Sequence, residues 1–229
     1  MERRGLIVAI DGPAGAGKST AARALARRLG YRYVDTGAMY RAVALAAIER
    51  GLDLDDAGAV AEVAGAVAIG FETDVDGEQR VLLDGRDVTA AIRTEAVGQG
   101  ASKVSAHAGV RERLVALQRE VGGTGGAVLE GRDIGTVVFP GADVKFFLEA
   151  SPTARAERRR RELEARGASA SLADVIGEME ERDRRDSTRA HSPLRCADDA
   201  ERVDTSFQGV DQVVADLESR VRRVLRERA

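Results

Sequence analysis

The stretch LIVAIDGPAGAGKSTAARALARRLG (6–30) constrains this chain more than any other. LIVAI (6–10) is a short, β-branched apolar run between Gly5 and Asp11–Gly12, and it reads as a fully buried strand of a parallel sheet. Ala22, Leu25, Ala26 and Leu29 then recur at helical spacing, and Gly30 marks the stop. Between strand and helix, Gly12-Pro13-Ala14-Gly15-Ala16-Gly17-Lys18-Ser19 fits the pattern G-x-x-x-x-G-K-[ST]. Strand, glycine-rich turn and helix form the first half of a βαβ unit, so an α/β fold on a parallel sheet is expected.

The turn is suited to a phosphate chain. Its glycines let the backbone aim N–H groups inward, and the start of the next helix adds partial positive charge. In this Walker A reading, residues 12–20, Thr20 included, bind ATP. Lys18 reaches the β- and γ-phosphates, and the Ser19 hydroxyl joins the coordination of Mg²⁺. Only three lysines (Lys18, Lys103, Lys145) stand among 35 basic residues, so a lysine here is more informative than any one arginine.

Composition narrows the partners. A net charge of −3 argues against a duplex nucleic-acid binder, and 3% aromatics with no tryptophan argue against base-stacking platforms. The single Cys196 cannot form an intrachain disulfide, and two histidines, His107 and His191, give no metal-ligand spacing. Both histidines are expected at the surface. MERRGLIVAI is too short for a secretory core, and no run is long enough for a membrane span. A cytoplasmic monomer that uses no nucleic acid and no membrane is the expectation. The length of 229 residues suits one domain carrying a smaller insertion.

Along the chain, RYVDTG (32–37) supplies a strand end, and AMYRAVALAAIERG (38–51) an apolar helix ended by Gly51. AIGFET, DVDGEQ and RVLLDG read as strand, turn and strand, a hairpin. Residues 87–122 return to helical spacing. AVLEG (127–131) and VKFFLEA (144–150) resume the α/β alternation. A helix follows from a Ser151 cap and Pro152, then a short strand near 201–205. A last helix carries Val210, Val213, Val214, Leu217, Val221, Val224 and Leu225 on one face.

A phosphate loop alone leaves kinases, GTPases and ATPases open. A GTPase should offer N-K-x-D, and the chain contains no asparagine. A small-molecule kinase is favoured. A kinase for another acceptor, such as UMP, another nucleoside monophosphate or a shikimate-like hydroxyl, stays open, as does a nucleotide-dependent switch protein.

Three further stretches, DTGAMYR (35–41), EGRDIGTVVFP (130–140) and ERDRRDSTR (181–189), stand in order behind DGPAGAGKST (11–20). Together they resemble the bacterial cytidylate kinase family over nearly the full chain. The resemblance implies transfer of the γ-phosphoryl group of ATP to CMP or dCMP. It implies a P-loop three-layer α/β sandwich with a parallel sheet core, an inserted acceptor-binding domain containing a small hairpin or sheet, and a short helical lid. The core would comprise residues 1–40 and 111–229, the insertion about 41–110 and the lid about 155–170.

Carried over by position, Thr36, Tyr40 and Arg41 hold the acceptor phosphate, with Arg132. Many members have Ser at position 36, and the hydroxyl survives. Ser102, Arg111 and Asp133 read cytosine, while Arg182, Asp186 and Arg189 contact sugar and phosphates. Arg155, Arg158 and Arg159 serve the donor phosphates, the last two as catalytic residues beside Lys18. Taken alone, ERRRRE is a solvated helix face, Tyr40 a core or rim aromatic and Asp133 a turn residue. DGRD (84–87) is turn chemistry outside the site.

The residue types fit cytosine, which offers an amino donor at N4 beside acceptors at N3 and O2. Asp133 can accept from N4, and Arg111 and Ser102 can donate to the ring. Uracil reverses the first two signs, a mismatch costing about 1–3 kcal/mol. No general base is required, because a monophosphate with its second pKa near 6 is already largely dianionic at neutral pH.

Overall fold

The computed structural model describes residues 5–73, 79–165, 167 and 170–228. Residues 74–78 of the expected DVDGEQ turn, the first four residues and part of the expected lid therefore lie outside the described residues. The chain divides into two compact units, residues 1–34 with 121–229, and residues 35–120.

The first unit is built on a five-stranded sheet. Its strands are β1 (Ile7–Asp11), β2 (Arg32–Asp35, whose last residue falls in the second unit), β6 (Ala127–Gly131), β7 (Val144–Glu149) and β8 (Glu201–Asp204). The order is β2-β6-β1-β7-β8, with β1 parallel to β6 and β7, and β7 parallel to β8. Every β1 residue is buried, as a sheet covered on both faces requires. Helices α1 (Lys18–Leu29) and α8 (Val210–Glu227) place Ala22, Leu25, Val214, Leu217 and Val221 against Val8, Ile10, Phe146 and Leu148. The register pairs Ile10 with Glu130 and Asp11 with Gly131, so β1 and β6 deliver their C-terminal ends side by side. Ligands of such sheets gather beyond those ends.

After β6, residues Ile134–Val138 form one π-helical turn, with Val138 N–H donating to Asp133 O and Phe139 N–H to Ile134 O. Helix α6 (Pro152–Glu164) starts as expected, the Ser151 hydroxyl accepting from Ala154 N–H at 3.2 Å. It stops at Glu164, and Gly167 N–H turns back to Glu164 O. ERDRRDST lies on α7 (Leu172–Thr188), with Arg189 just past its end, and α7 packs Val175 and Met179 against Ala156. Among the described residues, no helix is long and apolar enough to cross a membrane.

The second unit holds α2 (Thr36–Glu49), α3 (Ala57–Ala66), α4 (Glu95–Val104) and most of α5 (Ala108–Gly122). Its antiparallel sheet is β3 (Ile69–Thr73), β4 (Gln79–Leu83) and β5 (Arg86–Asp87). Asp84 and Gly85 have φ of 50° and 80°, the left-handed pair of a tight hairpin turn, so DGRD is turn chemistry that also starts a third strand. The surface expectation for His107 is corrected. Its ring is half-buried and its Nε2 bonds Leu54 O at 2.8 Å, because helices α4 and α5 meet at a corner that brings residue 107 against the loop after α2. His191 is exposed as expected.

Candidate active site

The phosphate loop emerges from buried Asp11, whose carboxylate accepts from Ile134 N–H at 2.8 Å and Gly135 N–H at 2.7 Å. This ties the ends of β1 and β6 together. Burial pushes the Asp11 carboxyl up to about 6, although those two bonds pull it down. Gly12 has φ +148°, and a Cβ there would lie 2.0 Å from Leu148 O, so only glycine fits. Gly15 and Gly17 are also left-handed, and Gly17 starts α1 without a side-chain cap, leaving the helix N-terminus open to an anion. Pro13 and Ala14 continue the loop, Ala16 is buried beneath it, and Ser19 and Thr20 are exposed in the first turn of α1.

Lys18 is 6% exposed and donates from Nζ to Pro13 O at 2.6 Å. Burial first, then the charge of Arg132, lowers its pKa to about 7, with Arg182 acting in the same direction and Glu130 and Asp11 against it. The loop thus ends among a group of buried charges. Arg132 Nε donates to Asp186 Oδ2 at 2.9 Å. Burial alone would raise Asp186, but Arg132 and Arg182 hold its carboxyl below the usual carboxylate range. Burial likewise opposes the Arg132 charge, and Asp186 more than restores it. Arg189 Nη2 lies 3.9 Å from Asp133 Oδ1, with both side chains buried, and Arg189 Nε donates to Ser192 O at 2.5 Å. Five expected acceptor residues, Arg132, Asp133, Arg182, Asp186 and Arg189, are thereby brought together beside Lys18.

The arginines of α6 divide. Arg155 is buried, donates to Ala14 O at 3.1 Å and pairs with Asp183. Arg158 donates to Gly15 O at 3.3 Å and to the Thr205 hydroxyl at 3.0 Å. Arg159 faces outward to Glu162 at 3.2 Å and is not gathered with them.

In the second unit, Thr36 opens α2 under an Asp35 cap that accepts from Ala38 N–H at 2.9 Å. Arg93 fixes that cap at 2.8 Å. Arg41 donates to Ile92 O at 3.0 Å. Arg111 is buried with its guanidinium 5.7 Å from the Tyr40 ring centroid, and it reaches Ser105 O at 3.4 Å. The Ser105 hydroxyl donates to Ser102 O, so buried Ser102, Arg111 and Tyr40 form one polar group.

Sequence reasoning missed Glu130, Asp183 and Thr205. Glu130 is buried, accepts from Tyr33 Oη at 2.5 Å and acts electrostatically on both Lys18 and Arg132. Its place at the end of the AVLEG strand was the available signal. Asp183 and Thr205 carried none, since each acts through a residue distant in sequence.

A protein-family model described as Cytidylate kinase matches residues 8–223. A cytidylate kinase of Pelotomaculum thermopropionicum is 53% identical over 220 residues, covering 96% of this chain and 97% of that protein. One from Geobacter sulfurreducens is 51% identical over 227 residues, covering 99% and 96%. Among solved structures, an uncharacterized protein from Eubacterium ventriosum superposes with a TM-score of 0.52 at 11% identity, over 94% of this chain and 98% of that one, a likeness of fold alone. With a family match spanning almost every element described above and relatives half identical along their whole length, this chain belongs to the cytidylate kinase family.

Proposed function

We propose that the protein transfers the γ-phosphoryl group of ATP to CMP or dCMP, giving ADP and CDP or dCDP. The observation that carries this reading is the convergence of buried Lys18 with half-buried Arg132 and Arg182 at the end of a glycine-rich loop. Burial, followed by the repulsion of Arg132 and Arg182, lowers Lys18 to about 7. Such a group is relieved by polyanionic phosphate.

In this reading the backbone of residues 12–17 and Lys18 hold the donor phosphates, with Ser19 and Thr20 at the helix start. Thr36, Tyr40, Arg41 and Arg132 hold the acceptor phosphate. Ser102, Arg111 and Asp133 read cytosine, and Arg182, Asp186 and Arg189 hold sugar and phosphate. An acceptor phosphate oxygen attacks the γ-phosphorus in line, and the bond to the β-phosphate oxygen breaks. The chain's work is alignment and charge neutralisation: Lys18 and the arginines offset the repulsion of two anions. Arg158 and Arg159 reach the transferring group as the lid closes, with Arg155 supporting the donor site, and closure keeps water from taking the acceptor's place.

Mg²⁺ suits the hydroxyl oxygen that Ser19 presents in the exposed first turn beside the loop. When bound, it neutralises charge on the β- and γ-phosphate oxygens. We place the enzyme in the cytoplasm as a monomer.

A coupled ADP-release assay across CMP, dCMP, UMP, AMP and dTMP tests the reading. CMP or dCMP should be the best acceptor, and equal rates with UMP and CMP would remove the cytosine-reading roles.

A further inference from the structure

The carbonyls of the phosphate loop are held one after another. Pro13 O accepts from Lys18 Nζ, and Gly17 O accepts from Ala21 N–H within α1. The three between them take donors from elements far away in sequence. Ala14 O accepts from Arg155 Nη1 at 3.1 Å, Gly15 O from Arg158 Nη1 at 3.3 Å, and Ala16 O from the Thr205 hydroxyl at 3.1 Å.

In a planar trans peptide the carbonyl and the following N–H point in opposite directions. Fixing the oxygens of residues 14, 15 and 16 therefore turns the N–H groups of Gly15, Ala16 and Gly17 to the other side. Those amides would meet the donor's phosphates.

Thr205 is 3% exposed and stands just past β8. Its hydroxyl oxygen accepts from Arg158 Nη1 at 3.0 Å, which commits the single hydroxyl proton to a carbonyl. Two are in reach, Ala16 O at 3.1 Å and Glu149 O at 3.2 Å. Glu149 O already accepts from Thr205 N–H at 2.8 Å, so Ala16 O gains more from the hydroxyl. Arg155 is aimed in turn by Asp183 on α7, and Gly15 admits this packing. A Cβ at Gly15 would lie 2.7 Å from Met179 Cε and 3.0 Å from Arg155 Cβ.

We propose that Thr205, with Arg158 and the Arg155–Asp183 pair, forms an outer scaffold that orients the phosphate-loop amides, Thr205 acting as a positioning residue that does not touch the nucleotide. The inference rests on the donor role proposed for the loop. It adds that α6 and the β8–α8 connection set the loop's shape before any nucleotide arrives, so their hydrogen bonds contribute to donor affinity through preorganisation.

The test is calorimetric binding of a nonhydrolysable ATP analogue with Mg²⁺, and separately of CMP, to the unaltered protein, Thr205→Val and Thr205→Ser. Thr205→Val keeps the shape and removes the donor, and it should weaken analogue binding about three- to tenfold, the scale of one hydrogen bond. Thr205→Ser should bind within about twofold of the unaltered protein, and CMP affinity should stay the same throughout. Should the valine variant not fold, Thr205→Ala against Thr205→Ser gives the same comparison. Equal analogue binding by the valine and unaltered proteins would overturn the inference, as would a serine variant as weak as the valine one or an equal loss of CMP affinity. Absence of analogue binding by the unaltered protein would remove the donor-site reading itself, and this inference with it.

Discussion

Arg132 on the exit of β6 donates its Nε to Asp186 Oδ2 on α7 at 2.9 Å, with 19% and 6% of the two side chains exposed. The pair joins the C-terminal end of β6 to α7. A buried carboxylate in such a pair is costly to remove, because the cation left behind loses its counter-charge.

Asp186→Asn should therefore lower stability by about 3 kcal/mol at pH 7. The folded pKa of Asp186 is depressed, so its contribution is fully present above the ordinary carboxylate value of 3.8 and is lost as pH falls below it. Urea unfolding at pH 7 and at progressively lower pH should show the two proteins converging in acid. A gap that stays constant with pH would contradict the pairing.

Lys18 carries the opposite kind of charge cost. Its folded pKa of about 7 lies below the unfolded value near 10.5, so the unfolded chain binds more protons between them and stability rises with pH over that range. Lys18→Met should abolish turnover yet raise the melting temperature by a few degrees at pH 7, with the gain shrinking toward pH 10. Donor binding near pH 7.5 should also draw a proton onto Lys18, visible as a buffer-dependent binding enthalpy. Unchanged turnover would contradict the role of Lys18, and a lowered melting temperature would contradict its electrostatic cost.

Gly12→Ala should cost at least about 3 kcal/mol or prevent folding, since the added methyl would meet a backbone oxygen 2.0 Å away at a φ of +148°. Gly30 is also left-handed but has open space around it, so Gly30→Ala should pay only the smaller conformational cost of about 1 kcal/mol. Comparable losses in chemical denaturation would show that the Leu148 contact is unimportant.

Much of this was legible in the chain. The β1–loop–α1 segment combines a β-branched run, a fixed glycine spacing and a 3.6-residue period, and each signal is local. The hairpin turn at Asp84–Gly85 is legible for the same reason. Helix α7 was not, because LADVIGEMEERDRRDST is largely charged and its helical packing depends on Val175 and Met179 meeting α6. The apolar run IGTVV carries no signal for a π-helical turn. In the site, Lys18 announces itself by motif, and Asp133 and Asp186 by resemblance. Glu130 is signalled only by its place at the end of the AVLEG strand, and Thr205 and Asp183 become visible only when the fold brings the end of β8 and α7 to the loop, since a threonine or a carboxylate among 38 acidic residues is locally ordinary.

Asp133→Ala should raise the Michaelis constant for CMP by about ten- to a hundredfold while that for ATP changes little, the scale of one lost base-reading contact. Steady-state kinetics with each substrate varied in turn separates the two. A larger effect on ATP would take Asp133 out of the acceptor pocket.

The most direct measurement is chromatographic separation of the nucleotides formed when the protein meets ATP, Mg²⁺ and CMP. One CDP should appear for each ADP, with no free phosphate and with negligible ADP when CMP is left out. ADP and inorganic phosphate rising together without CDP would contradict the account.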